Sequence, residues 1–351
     1  TPTLSSAASD VYKRQQEGSS KLENRINMER IKVFSLWSGL LGFIVVALGA
    51  WTRLADAGLG CPDWPGCYGF VTIPVSPEEI DLANTKFPDT PYEVAKAIPE
   101  VVHRYFAAAL GFMILCIAYI AFKNKELPSD VRKLSFFLIA WVIMQGTFGY
   151  WTVSLKLWPQ VVTTHLMSGF LTTGLLWLLY YKTKDRLQER TQWNFSSATK
   201  KLFTISIALV AVQIFLGAWT STNYASYSCT DFPLCQGQIL PDANFKQGFD
   251  FFQSIGPNYL GGQMDHDSRV AIHLTHRFGA IVVTLFLLFM SYHLYIRKFQ
   301  TALGLVGFLT LQVLLGISNV IFALPLLVAV GHNLGGLLLI TYLGVLRLRE
   351  N

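Results

Sequence analysis

The sequence predicts an all-α integral membrane protein: eight transmembrane helices in two tandem four-helix bundles, related by a pseudo-two-fold axis along the membrane normal. Three observations carry this. The 351 residues are 52% hydrophobic and only 14% charged, too apolar for an ordinary soluble domain. Eight stretches reach the roughly 20 apolar residues that a membrane crossing needs. Motifs in the first half return in the same order in the second.

The stretches are 31–51, 101–122, 134–154, 159–181, 202–222, 270–295, 302–323 and 324–346. The third, fifth and seventh carry no charged residue and no histidine, and soluble helices of that length rarely lack a polar face. Residues 1–29 are polar and without hydrophobic period, and are expected to be a disordered or non-native tail. Most of the 28 Lys and Arg fall in that tail, in the loops after the second, fourth and sixth spans, and at the C-terminus. The positive-inside rule then puts both termini in the cytoplasm and the long loops 52–99 and 223–269 outside. The net charge of +6 reflects that topology and is no sign of nucleic-acid binding. The expected location is the cell inner (plasma) membrane, multi-pass in the lipid bilayer.

The internal repeat is explicit. Gly49-Ala50-Trp51-Thr52 returns as Gly217-Ala218-Trp219-Thr220, and the Cys61–Cys67 loop as the Cys229–Cys235 loop. His103-Arg104 matches His276-Arg277, Gln145 and Gly149 match Gln312 and Gly316, and His165 matches His332. The division expected is an N-terminal bundle over 30–184, a cytoplasmic linker over 185–200 and a C-terminal bundle over 201–351. An even number of spans per half inserts both copies the same way up.

Ionisable groups inside a membrane span are costly and point to function. Each half has one His on its second span and one on its fourth: His103 and His165, then His276 and His332. Topology places all four toward the outer side. Two imidazoles on facing helices suit the axial positions of a haem iron, whereas zinc would want three or four ligands. The alternative is four buried histidines bonded to backbone carbonyls. Arg104 and Arg277 read either as partners of haem propionates or as interfacial arginines. Glu100 aligns with His273, so an acid stands in one half only. It is a candidate proton-transfer group, or else a helix-terminal Glu favoured by the dipole. His266 and His293 receive no role, and Cys116 reads as a small core residue. Outer loops favour disulfides. Cys229–Cys235 is expected to be one, and Cys61–Cys67 reads as a disulfide or as a redox pair.

Together these residues resemble the haem A synthase family over about residues 31–348. The matching motifs are Glu-x-x-His-Arg at Glu100 to Arg104, the Cys-bearing outer loop, His165, and the pair His276 and His332. The resemblance implies an oxidoreductase that converts the C8 methyl of haem O to a formyl group. It does so by two successive hydroxylations, the diol then losing water. The substrate would bind in the first half between His103 and His165, and a haem b cofactor in the second between His276 and His332. Glu100 matches the family's essential acid. A haem O synthase and terminal oxidase assembly factors are implied neighbours, with an electron acceptor that the residues do not name. Self-association into a homo-oligomer stays open. One departure is that both halves carry the Cys pair here, where many members confine it to the first half or lack it. Two other readings fit the histidines: a di-haem, quinol-linked membrane electron-transfer cytochrome, and a haem transporter or chaperone.

Overall fold

The computed structural model describes residues 3–188, 195–296 and 298–348. Within them lie ten α-helices: α1 (Thr3–Leu54), α2 (Pro77–Lys86), α3 (Val94–Lys123), α4 (Ser129–Ser154), α5 (Pro159–Leu187), α6 (Ser197–Thr222), α7 (Phe245–Gly248), α8 (His266–Tyr295), α9 (Phe299–Ile321) and α10 (Leu326–Leu348). All but α2 and α7 are long and apolar enough to cross a membrane, which makes eight spans among the described residues. No strand occurs there, only two isolated bridges in the outer loops.

Helices α1, α3, α4 and α5 pack around one another, and so do α6, α8, α9 and α10. The groups meet where α10 lies on α1 and α5, and where α5 lies on α6. Leu110, Ile114, Ile117, Leu138, Leu176 and Leu179 fill the first group. Phe203, Val210, Leu287, Met290, Leu305 and Leu343 fill the second. On α3 and α8 these residues come after the histidines, so aliphatic packing takes the end of each group away from the outer loops. The opposite faces are apolar but uncovered. Phe112, Leu115, Tyr119 and Phe122 on α3 are exposed, as are Phe278, Ile281, Leu285, Phe289 and Tyr292 on α8. Spacings of three and four residues place them on one stripe per helix, the surface that a hydrocarbon solvent covers.

Three boundaries differ from expectation. Residues 3–29, expected to be unstructured or foreign, continue α1 as helix. The stretch has no proline and is rich in Glu, Lys, Arg, Gln and Leu, all good helix formers. Its last turns are fixed by buried Met28 and by Asn27, whose Nδ2 donates to Asn124 Oδ1 at 2.6 Å. Residues 1 and 2 lie outside the described residues. Helix α3 starts at Val94 rather than 101 and runs through Pro99. Glu100 therefore sits in the second turn and not at the helix N-terminus. Finally, α5 runs to Leu187, and Ser196 caps α6 by accepting from Thr199 N at 3.3 Å. The connection is thus shorter than 185–200, and its residues 189–194 lie outside the described ones.

The seventh and eighth spans abut in sequence with no polar break. The structure turns the chain there with two consecutive left-handed residues, Ala323 (φ 53°) and Leu324 (φ 61°). Lys156 (φ 50°) and Leu157 (φ 61°) make the same turn between α4 and α5. Non-glycine residues seldom hold this conformation, so propensity gives no warning of it.

Candidate functional site

Four histidines line up in two pairs at the ends of the bundles that carry the disulfide loops. The His103 and His165 ring centroids are 6.4 Å apart with planes at 84°. Those of His276 and His332 are 6.4 Å apart at 86°. Each ring turns its Cε1 edge toward a helical glycine of a neighbouring helix. A Cβ at Gly49 would stand 2.9 Å from His103 Cε1, and one at Gly149 3.4 Å from His165 Cε1. In the second group a Cβ at Gly217 would stand 3.0 Å from His276 Cε1, and one at Gly316 2.9 Å from His332 Cε1. At Gly49, Gly217 and Gly316 a side chain would press the ring from its seat.

Hydrogen bonds orient the rings. The Val45 carbonyl can only accept, so His103 Nδ1 donates to it at 3.1 Å, leaving Nε2 with its lone pair free. His332 Nδ1 donates in the same way to the Gln312 carbonyl at 3.2 Å. Gln213 Nε2 lies 3.1 Å from His276 Nδ1 and 2.9 Å from the His276 carbonyl. Gln145 Nε2 donates to the His165 carbonyl at 2.9 Å.

What could such a pair hold? Among the described residues no cluster of three or more His, Cys, Asp or Glu could take a metal ion. A bare ion that seeks four ligands finds two here. A macrocycle that supplies its own equatorial donors needs only two axial nitrogens. With metal–nitrogen bonds of about 2 Å, two opposed imidazole rings have centres roughly 6.3 Å apart. Both observed separations match, so the residues present fit a bis-histidine haem.

Above each pair lies a disulfide loop, bonded Cys61–Cys67 in the first group and Cys229–Cys235 in the second. The bond settles Cys61–Cys67 as a disulfide in this structure; Cys116 is a free thiol. The two loops share one construction. Asp63 accepts from the N–H groups of Tyr68 (2.7 Å) and Gly69 (2.6 Å). Asp231 accepts from those of Gln236 (2.7 Å) and Gly237 (2.8 Å). Gly69 (φ 82°) and Gly237 (φ 73°) close the turns. The donors pull the Asp231 carboxyl below its ordinary value, the Gly237 N–H most strongly.

The arginines hold these loops down. Arg104 Nη1 donates to the Asp63 carbonyl at 2.9 Å and to that of Gly66, while Nη2 pairs with Glu100 Oε1. Arg277 donates to the carbonyls of Asp231 (3.0 Å), Leu234 (2.8 Å) and Cys229 (2.8 Å). Both guanidiniums are thus occupied by loop backbone, a role not foreseen in either sequence reading of them. Glu100 is buried, only 4% exposed, and its Oε2 accepts from Cys61 N at 2.9 Å. His273 is also buried, and its Nε2 accepts from Arg277 Nε at 3.3 Å. His293 bonds Thr199 Oγ1 at 3.0 Å, and His266 bonds Gln236 Nε2 in the disulfide loop, so neither is part of a histidine pair.

A family profile described as COX15-CtaA, cytochrome oxidase assembly protein, matches residues 32–343. The chain belongs to the COX15-CtaA family. Curated relatives agree with that membership. A protein named "Heme A synthase" from Shewanella oneidensis is 42% identical over 299 residues, covering 85% of this chain and 89% of that protein. One of the same name from Wolbachia of Brugia malayi is 25% identical over 333 residues, 88% of this chain and 94% of its own. Another from Alkalihalophilus pseudofirmus is 25% identical over 229 residues, 65% of this chain and 71% of its own. The COX15-CtaA match begins at residue 32, after the helical extension of α1. It takes in both histidine pairs and both disulfide loops.

Proposed function

We propose that this COX15-CtaA protein is a haem A synthase, a membrane oxidoreductase that oxidises the C8 methyl of haem O to a formyl group by successive hydroxylations. Haem O would bind between His103 and His165, and a resident haem b between His276 and His332. The groups α1, α3, α4, α5 and α6, α8, α9, α10 would be tandem copies related about the membrane normal, with both termini cytoplasmic. The observation that carries the reading is a pair of equal histidine clasps with a buried carboxylate beside only one. The bound haem b would supply an iron able to pass electrons.

The chain's own residues do the rest. Gly49, Gly149, Gly217 and Gly316 seat the rings so that each pair faces one metal. The disulfide loops cap the pairs and keep bulk water out. Glu100 lies one helical turn from His103, the spacing that brings side chains together on one face. Its need is informative, because Arg277 anchors the second loop with His273 in place of an acid. A carboxylate is therefore not required to hold a loop, and we assign Glu100 the binding and release of a proton at Oε1 or Oε2 during oxidation. A haem propionate reaching Arg104 or Arg277 would share the guanidinium with loop carbonyls.

The near-identical clasps would also suit a di-haem electron carrier. Pigment extraction from the purified protein separates the readings: haem O or haem A beside haem b supports the synthase, and haem b alone supports the carrier. Glu100→Gln keeps the bond from Cys61 N but removes the proton-exchanging group. It is expected to retain both pigments and to stop haem A formation by two orders of magnitude or more. A normal haem A yield would take the acid out of the mechanism.

A further inference from the structure

The two clasps differ behind the ring that α3 carries in one and α8 in the other. In the first group His103 Nδ1 meets a main-chain carbonyl, that of Val45, whose position no side chain can change. In the second, the matching position on α6 is Gln213, and its side-chain amide meets His276 Nδ1 at 3.1 Å. The amide is lodged against Gly279, where a Cβ would fall 2.3 Å from Gln213 Oε1. The corresponding residue on α3 is Phe106. Gln213 Oε1 is buried and has no hydrogen-bond partner.

The orientation of this amide bears on which ring nitrogen of His276 carries the proton. As oriented, the amide donates to Nδ1, which fits a ring protonated on Nε2. A ring that ligates a metal through Nε2 must carry its proton on Nδ1 and donate from there. Half a turn of the amide brings the idle Oε1 to Nδ1 as an acceptor, in exchange for the Nε2 bond to the His276 carbonyl at 2.9 Å. An acceptor at Nδ1 makes the imidazole a stronger electron donor and favours the oxidised metal.

We infer that Gln213 is a positioning residue that orients His276 and sets the redox potential of the haem held between His276 and His332, a control absent from the first clasp. The inference rests on the haem reading above. Gln213 acts through His276 and need not touch the haem itself.

The test is the reduction midpoint of the haem in purified holoprotein, followed by its visible spectrum, across Gln213→Leu, the unchanged chain and Gln213→Glu. The midpoint is expected to rise in Gln213→Leu, which has no acceptor, and to fall in Gln213→Glu, whose acceptor is stronger. Gly279→Ala, which takes the space that the amide occupies, is expected to raise it as Gln213→Leu does. It serves if Gln213→Leu does not accumulate. Gln145→Leu, behind the other clasp, is expected to leave this midpoint unchanged. Equal midpoints across the series, with haem retained, overturn the inference. Loss of the haem reading shows separately, as a His276→Ala protein that keeps its full haem spectrum.

Discussion

A glycine that touches a histidine ring is a small feature with a measurable edge. Gly49 and Gly149 serve the same clasp at different clearances, 2.9 Å and 3.4 Å from a built Cβ to the ring. The first is too close for any real Cβ, while the second is ordinary contact. Gly49→Ala is therefore expected to displace His103 and weaken pigment binding at that pair by about tenfold, ~1.4 kcal/mol. Gly149→Ala should change it little. Haem content per protein, titrated on the purified variants, checks the contrast, and equal losses would mean that the ring seats do not matter. The repeat made these glycines visible in the sequence as matched positions. Their purpose was hidden, because close approach to an aromatic ring has no sequence signature. Gln213 was missed altogether: it is a lone amide in an apolar span, and its match in the first half is a valine.

Helices and loops show the same division between what a pattern announces and what it conceals. Hydropathy sufficed for all eight spans, since length and apolarity alone decide a crossing. It failed at helix ends, where α3 starts early despite Pro99 and α1 extends back to Thr3, because hydropathy does not mark helix beyond the apolar stretch. In the outer loops the cysteine spacing was legible. The aspartate that organises each loop was not, although Asp63 and Asp231 each stand two residues beyond the first cysteine. Because the Asp231 pKa is lowered in the folded loop from its ordinary 3.8, its carboxylate adds stability above that pH. The contribution is lost as pH falls below 3.8 and through the folded value. Amide exchange at Gln236 and Gly237, corrected for the intrinsic rate, should keep its protection down to pH 3.8 and lose it only below that. Asp231→Asn should lack that protection throughout. Equal protection at pH 5 in Asp231→Asn and in the unchanged chain would refute the cradle.

At the scale of the molecule the two groups are tied at their outer ends. Arg53 of α1 donates to the Ser221 carbonyl, and its guanidinium lies 3.9 Å from the Tyr224 ring centroid. Trp158 Nε1 donates to the Gln253 carbonyl at 3.0 Å, and Tyr259 N to the Lys156 carbonyl at 3.0 Å. The second disulfide-bearing loop thus straps the α4–α5 turn at Lys156 and Trp158, nine and seven residues before His165. Removing Arg53 costs a hydrogen bond and a cation–π contact, together about 1–2 kcal/mol. Arg53→Ala should lower the thermal midpoint in detergent by a few degrees while leaving the haem spectra as they were. An unchanged midpoint would show that Arg53 adds nothing to the joint between the groups.

The seam between the groups has one more result. Helix α1 rests on α10, so a span made early gains one of its neighbours only after α10, far later in the chain, is made. Until then the flank of α1 that α10 will cover faces lipid or an insertion factor. Cotranslational assembly of this protein cannot be completed half by half, and a chain halted before α10 would sit in the bilayer with an open side.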